Sequence, residues 1–374
     1  MFKKIIGGAS IFALTCGLGM NAAHAAGTVE IGMITDLTGP AALSGHHKVD
    51  GAQLAIDEIN AHGGINGKKI KLLIEDDRGQ NQAAVSAFQR LVANQDVVAI
   101  IGSIRSNITQ AMLPYIASDQ VPTMIGGTDP KLTQMGNKWV FRFRPNDNYA
   151  AAAMAKYAVE DMKAKKVAIL YDSDAFGSSG NALLDAALKK DGADVVSDQG
   201  YTTATVDFTS YLEKIRSSGA DTLATYMTNA EDEAQMLKQL RQLGLKIKII
   251  GSTSIATAVC IQLAGPAVNG TYGVTDFLAD GNDQAKAFNK LYEAKYHMPS
   301  DVFGGWAYDA INVLSQVIAK DGTSNNAIRN GILAVKDYKG VEGIYTFDEN
   351  GDGLHGYWIV KIMNQKAEPI KYVD

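Results

Sequence analysis

Two doubly wound α/β lobes, each built on a parallel sheet, are predicted for this 374-residue chain. Three observations carry the prediction. Short apolar, strand-like runs alternate with amphipathic helical stretches of roughly ten to fifteen residues, the rhythm of a parallel sheet with right-handed crossovers. The rhythm breaks at FRFRPNDN (141–148), with Pro145 where a linker is expected, and then restarts. A late section, 282–320, offers two helices with no strand before the second, which is cover for a sheet already built. The first lobe is therefore expected in 26–145 plus 277–345, and the second in 146–276 plus 346–374.

The elements follow in order. VEIGMITDL (29–37) is strand-like, and DGAQLAIDEINAHGG (50–64) is helical. In that helix Ala52, Ala55, Ile56 and Ile59 share a face at helical spacing, and Gly63-Gly64 end it. KIKLLIEDD, the helix NQAAVSAFQRLVANQ, VVAIIG, the helix TQAMLPYIASDQ and VPTMIGG complete the first cycle. After the break, strands KVAILYD, ADVVSDQGY, DTLATYM and KIKIIGS alternate with four helical stretches. Trp306, Ala310, Leu314 and Val317 lie close together on a late helix, and the final stretch, 341–365, reads as a β-hairpin around the polar turn DENGDG.

Composition sets limits on function. The chain is 46% hydrophobic and 20% charged, with mean hydropathy −0.06, as expected for a globular protein able to bury a large core. Lys3 and Lys4, an apolar stretch from Ile5 to Met20 and Ala23-His24-Ala25 read as an export signal cleaved near Ala25. Cys16 raises lipidation as the other reading, although Ala13-Leu14-Thr15 is a poor run-in for it. Cleavage leaves Cys260 as a lone, buried thiol, so no disulfide framework is expected. Loss of the two lysines moves the formal charge from −5 to −7, which disfavours nucleic acid and anionic membranes as partners.

Motifs for catalysis are missing: there is no nucleophile elbow, Walker loop, HExxH or Cys/His cluster at metal spacing. No cofactor and no metal are expected, and the protein is not read as an enzyme. His46-His47 reads as a solvated turn. Asp348-x-Asn350-x-Asp352-Gly353 opens like a calcium loop, but its twelfth position is Ile359 in place of glutamate, and Asx-Gly runs are common turn formers.

Two turns stand out. GSIRSN (102–107) and GGTDP (126–130) each close an apolar strand with glycine and hydroxyl or amide side chains. In an open α/β sheet, ligands lie beyond the carboxyl ends of the strands, facing unpaired helix N–H groups. Gly102 and Gly126-Gly127 are read as keeping the backbone accessible, while Ser106 and Thr128 supply hydroxyl donors. Each hydrogen bond to a charged group contributes ~1.5–3 kcal/mol. Four or five therefore suffice for the roughly 8.2 kcal/mol of micromolar binding to a small carboxylate.

The succession TDLTGPAALSG, DGAQLAIDEINAHGGINGKKIKLLIEDD, AIIGSIRSNITQAMLPYIA and VPTMIGGTDPKLT resembles the Leu/Ile/Val-binding protein family, the type I periplasmic binding proteins that feed ABC importers. The likeness runs on through KVAILYDSDAFGSSG, LKQLRQLGLKIKIIGS and VEGIYTFDENGDG. It implies two lobes joined by three crossovers, the third near Tyr345 to Asp348, and a cleft that closes on a small ligand. It also implies a periplasmic monomer that meets a permease in the inner membrane. By position, Ser106 and Thr128 match the hydroxyls that take a ligand carboxylate, with the backbone of Gly126 and Gly127 beside them. Ser44, in the loop after the first strand, falls where an aromatic is common; Phe176 matches an aromatic of the second lobe, and Asn229 another pocket side chain. Thr253, between Ser252 and Ser254, stands where amino-acid binders carry the glutamate that holds the α-ammonium. A hydroxyl does not neutralise an ammonium in a closed cleft. An organic acid without an α-amino group is expected, aromatic or branched aliphatic. The alternatives are an amino acid, with Asp172, Asp174, Asp276 or another acid supplying the charge, and an amide or small-molecule sensor of the same fold. Arg105 is either a second carboxylate clamp or a surface residue paired with an acid, and Tyr149 and Tyr226 are either cleft walls or core.

Overall fold

The computed structural model describes Met1 and residues 27–374. The expected export signal, with Lys3, Lys4, Cys16 and the cleavage point near Ala25, lies outside the described residues. Among those described, no helix is long and apolar enough to cross a membrane.

The first lobe begins β1 (Thr28–Thr35), α1 (Ala42–Ala61), β2 (Lys69–Asp76), α2 (Asn81–Ala93), β3 (Val97–Ile101), α3 (Ser106–Asp119), β4 (Thr123–Ile125), α4 (Lys131–Gln134) and β5 (Val140–Arg142). The second contains α5 (Asp147–Glu160), β6 (Lys166–Asp172), α6 (Ala175–Lys190), β7 (Asp194–Tyr201), α7 (Thr209–Ser218), β8 (Thr222–Tyr226), α8 (Ala230–Gln242), β9 (Lys248–Gly251), a 3₁₀ turn (Thr253–Ala256), α9 (Ala258–Ala264) and β10 (Tyr272–Thr275). The chain then returns with α10 (Asp283–Tyr296), α11 (Val302–Asp321), α12 (Asn325–Leu333), β11 (Tyr338–Lys339) and β12 (Ile344–Tyr345), and finishes in β13 (Tyr357–Met363) and β14 (Lys366–Val373).

The first sheet has the order β2-β1-β3-β4-β5, all parallel. Alternation along β1 sends Ile31 and Met33 towards α1 and α11, where Trp306, Ala310, Leu314 and Val317 pack, and Ile34 towards Phe88, Ile108 and Met112 of α2 and α3. The second sheet runs β14-β13-β10-β9-β8-β6-β7, with β6 to β10 parallel and β13 and β14 antiparallel at one edge. Leu212, Leu237, Leu240 and Cys260 cover one face and Met154, Leu184 and Leu188 the other. Cys260 is a buried free thiol.

Two local expectations are corrected. Helix α1 starts at Ala42, not near Asp50, so Ser44 and His46-His47 are helical. Gly45 permits this, because a Cβ there would lie 1.7 Å from the Asp36 carbonyl oxygen. On the helix His47 turns inward to Asp301, with Nδ1 3.0 Å from its carboxylate, while His46 is exposed. Residues 341–365 do not form the expected hairpin. β12 pairs with β11, and Asp352 bridges to Arg142 alongside β5. The Asp348 carboxylate accepts from the amides of Asn350 and Asp352, each at 2.9 Å, an Asx-type turn. Asp352 itself accepts from Arg142 Nε and Thr133 Oγ1, both at 2.8 Å, which holds the turn on the first lobe. The hairpin that forms is β13–β14, around Asn364 and Gln365, whose φ values of 51° and 57° suit a two-residue turn.

Three segments pass between the sheets, 143–146, 276–282 and 354–356; the third lies beyond the Tyr345 to Asp348 expected for it, because Asp352 still bridges to Arg142 of the first lobe. The first two are clamped together, Arg144 donating to Asp276 through Nε at 2.7 Å and Nη2 at 2.9 Å in a buried, two-pronged ion pair. The first and third meet where the Tyr357 hydroxyl donates to the Pro145 carbonyl at 2.8 Å.

Candidate functional site

Each sheet has a point where its winding reverses, between β1 and β3 in the first lobe and between β6 and β8 in the second. Loops leaving the carboxyl ends of these strands must splay apart there, which opens a crevice. The two crevices face each other. From the first lobe come the β1–α1, β3–α3 and β4–α4 connections; from the second come the loops after β6, β8 and β9.

At the carboxyl end of β3 the chain turns through Ser103, Ile104 and Arg105 into α3, whose N-terminus carries no side-chain cap. The neighbouring turn is tied to it, because the Gly126 amide donates to the Ser103 carbonyl at 3.2 Å and the Asp129 amide to Ser106 Oγ at 3.2 Å. With that acceptor position filled, the Ser106 hydroxyl proton is free to point outward. The glycines act differently from the sequence reading. A Cβ on Gly126 would sit 2.7 Å from the Trp306 ring and one on Gly127 2.8 Å from Leu132, so both are set by packing.

A cavity of about 30 Å³ lies between the lobes, and it brings together Arg105, Ser106, Thr128, Phe176 and Thr253. Its remaining walls are apolar (Ile104, Met227, Val302, Phe303) or hydroxylic (Thr228, Ser254, Thr257), with Arg144 at one side. No carboxylate among the described residues lines it. An adjoining cavity of about 20 Å³ holds Ser44 and Asn229, with Asp36, Lys48 and again Arg105. Gly126 and Gly127 sit behind Ser106 and Thr128 and line neither cavity. Tyr149 is not brought to this place. It lies in a separate groove, with its ring edge-to-face against His355 at 5.4 Å, because α5 turns that face away from the cleft. Tyr226 is core: its hydroxyl donates to Asp147 at 2.8 Å and its ring packs on Phe176 at 5.0 Å.

The lobes are bridged across this region. Ser44, in the first turn of α1, donates to Glu231 at 3.2 Å, and Ser179 donates to Asp129 at 3.1 Å. Arg105 lies buried between the lobes, with Nε 3.3 Å from Asp36 of the first and Nη2 on the Asn229 side-chain oxygen of the second. The acids named above for an ammonium each make other contacts. Asp276 holds Arg144, Asp172 accepts from Thr203 at 2.7 Å and 2.9 Å, and Asp174 caps α6 through the Gly177 amide at 2.9 Å.

Sequence reasoning missed three contributors. Lys48 is buried, donates to the carbonyls of Ile34 and Gly102, and stands 5.2 Å over the Trp306 ring; burial pulls its pKa down to about 7. Arg144 was read only as part of a linker, although Arg142 and Arg144 recur at a two-residue interval, a spacing that puts both on one side of an extended chain. Glu233 is fully buried one layer behind the cavity, where it accepts from Thr225 Oγ1 at 2.9 Å and Ser254 Oγ at 3.0 Å, and burial pushes its pKa up to about 7. Its sequence context, EDEAQ at the start of an amphipathic helix, gives no sign of burial.

Comparison with known proteins gives a consistent result. Residues 28–367 match the family described as periplasmic binding protein. The Leu/Ile/Val-binding protein homolog 3 of Brucella melitensis is 30% identical over 349 residues, covering 91% of this chain and 92% of its own. Among solved structures, the branched-chain amino acid transporter substrate binding protein LivJ of Streptococcus pneumoniae, in complex with isoleucine, superimposes with a TM-score of 0.85 at 25% identity, covering 92% of this chain and 99% of its own. A solute binding protein of an ABC transporter from R. palustris, in complex with benzoate, gives a TM-score of 0.87 over 92% of this chain and 96% of its own; at 20% identity that likeness is one of fold.

Proposed function

The chain belongs to the periplasmic binding protein family, and we propose that it captures a small organic acid lacking an α-amino group and delivers it to an ABC importer. On this reading the protein works in the periplasm as a monomer, meets a permease in the inner membrane and transforms nothing. Ser106 and Thr128 hold the ligand carboxylate, with the uncapped first turn of α3 behind them. Phe176, Met227, Val302 and Phe303 enclose the apolar remainder, and closure of the hinge presents the loaded form to the permease.

One observation carries this reading: the cavity is lined by hydroxyls, apolar groups and two arginines, with no carboxylate among the described residues facing into it. An anion is welcome there, whereas an ammonium finds no charged partner in contact.

A second reading, an amino acid of the leucine class, is favoured by the names of the Brucella and Streptococcus proteins and by the buried carboxyl of Glu233 behind Ser254. A thermal-shift screen separates the two, since a ligand that binds only the folded cleft raises the melting temperature. Leucine, valine and phenylalanine are compared with their deaminated, keto and aromatic acid counterparts. The organic acids are expected to give the larger shifts, and larger shifts with the amino acids would overturn the proposal. Ligand recovered unchanged after prolonged incubation is the expected result for a binder.

A further inference from the structure

The cavity beside Ser106 and Thr128 is too small for a whole organic acid. A space of about 30 Å³ admits roughly two water-sized groups, enough for the oxygens of one carboxylate. The rest of a ligand needs room elsewhere, and room adjoins it. An outer cavity of about 770 Å³ is within the ~300–1,000 Å³ usual for small-molecule sites. Val302 borders both spaces. The 256–258 segment also divides them, because Thr257 borders the inner space while Ala256 and Ala258 border the outer. At these points a single residue separates the two.

The two sides of this partition belong to different lobes. Val302 opens α11, which packs on the first sheet, whereas Ala256 to Ala258 lead from β9 into α9 of the second lobe. The partition is thus built only when the lobes meet, and parting them joins the spaces into one trough. An acid laid in the open cleft is then shut in with its head in the inner space and its body passing between Val302 and Thr257. The outer space suits an apolar body. Ile261, Phe277, Leu278 and Met298 line it, with Phe277 and Leu278 buried. The buried ionisable groups on its wall, His47 and Asp301, are paired with each other at 3.0 Å, and its other charged residues, such as Lys286, Lys290 and Glu293, are exposed. Resting on the organic-acid reading above, we infer that the ligand is an elongated apolar monocarboxylate, in its simplest form a medium-chain alkanoate. Its carboxylate occupies the inner cavity and its chain the outer one.

The test is calorimetric titration of the whole protein with butanoate, hexanoate, octanoate and decanoate below their micelle-forming concentrations, with leucine alongside. Affinity is expected to rise about fourfold for each methylene that enters the outer cavity. Ser106→Ala is expected to weaken every acid by a similar factor, about tenfold, because all share the same head. Ala258→Trp fills outer space alone, so it should abolish the gain with length while butanoate binds as before. Ile261→Trp, on the same wall, repeats the test if thermal unfolding shows that Ala258→Trp is not folded. Affinity that does not rise beyond butanoate, a gain with length that survives both substitutions, or long acids indifferent to Ser106→Ala overturns the inference. Short acids that bind without any gain from length leave the organic-acid reading standing and reject the elongated ligand alone. Leucine binding where no acid binds removes that reading and the inference with it.

Discussion

On the proposed reading, recognition turns on Ser106 and Thr128. Both line the cavity, and Ser106 has its acceptor position filled by the Asp129 amide. Replacing either by alanine is expected to weaken the bound acid by ~1–3 kcal/mol with little change in melting temperature, measured by titration calorimetry and thermal unfolding. Unaltered affinity in both variants would remove these turns from the site. Arg105 acts between the lobes. It reaches Asp36 on one side and Asn229 on the other, so Arg105→Ala is expected to favour the open arrangement and raise the radius of gyration seen by small-angle scattering. The hydroxyl turns were legible in the sequence as a repeated pattern, glycine with serine or threonine at the ends of two neighbouring strands, while packing against Trp306 and Leu132 sets Gly126 and Gly127 themselves. Glu233 and Lys48 were not, because burial of a charge is decided by what packs over it, and that is settled by tertiary contacts far away in sequence.

At the scale of elements, close backbone approach explains where the sequence reading slipped. The start of α1, 42–49, reads as a loop because its residues are polar and include Gly45, while Gly51 falls in the stretch read as helical. Those glycines are what let the helix lie flat: a Cβ on Gly51 would come within 2.1 Å of the Gly304 carbonyl oxygen of α11. Gly51→Ala therefore forces two helix backbones apart and is expected to cost about 3 kcal/mol, at the upper end for overpacking, seen as a lower denaturant midpoint with unchanged slope. The polar turn 348–353 slipped for another reason. Its hairpin signal is real in local terms, but the pairing of Asp352 with buried Arg142 holds it beside β5. Asp352→Ala would leave the guanidinium unpaired at a cost of ~3–5 kcal/mol, checked by the same unfolding curve. Strand and helix order elsewhere was readable because each apolar face has the period of its element.

The whole molecule combines a rigid core with a set of buried carboxyls, and this gives its stability a direction with pH. Burial raises the pKa of Asp77 to about 8 and those of Asp147, Asp172, Glu233 and Asp309 to about 7. In an unfolded chain such groups titrate at roughly 4. Between those values the folded state holds protons that the unfolded state releases, so stability falls as pH rises from about 5 to 7. Lys48, lowered to about 7, adds the opposite slope only above that range. Calorimetry should show a lower melting temperature at pH 7 than at pH 5, and Asp147→Asn should flatten the dependence. A melting temperature that rises across this interval would mean that these carboxyls are ionised in the fold.

The bridged lobes, the small cavity and its hydroxyl lining support the central proposal about recognition, that the site grips a negative charge. The most direct measurement compares an acid with its primary amide, taking 4-methylpentanoate and phenylacetate with 4-methylpentanamide and phenylacetamide, by titration calorimetry in the same buffer. The amide matches the acid in shape and replaces one anionic acceptor by a neutral donor. Binding of the better acid, with its amide at least ~100-fold weaker, is the predicted result. An amide that binds as tightly as the acid, or more tightly, would contradict it.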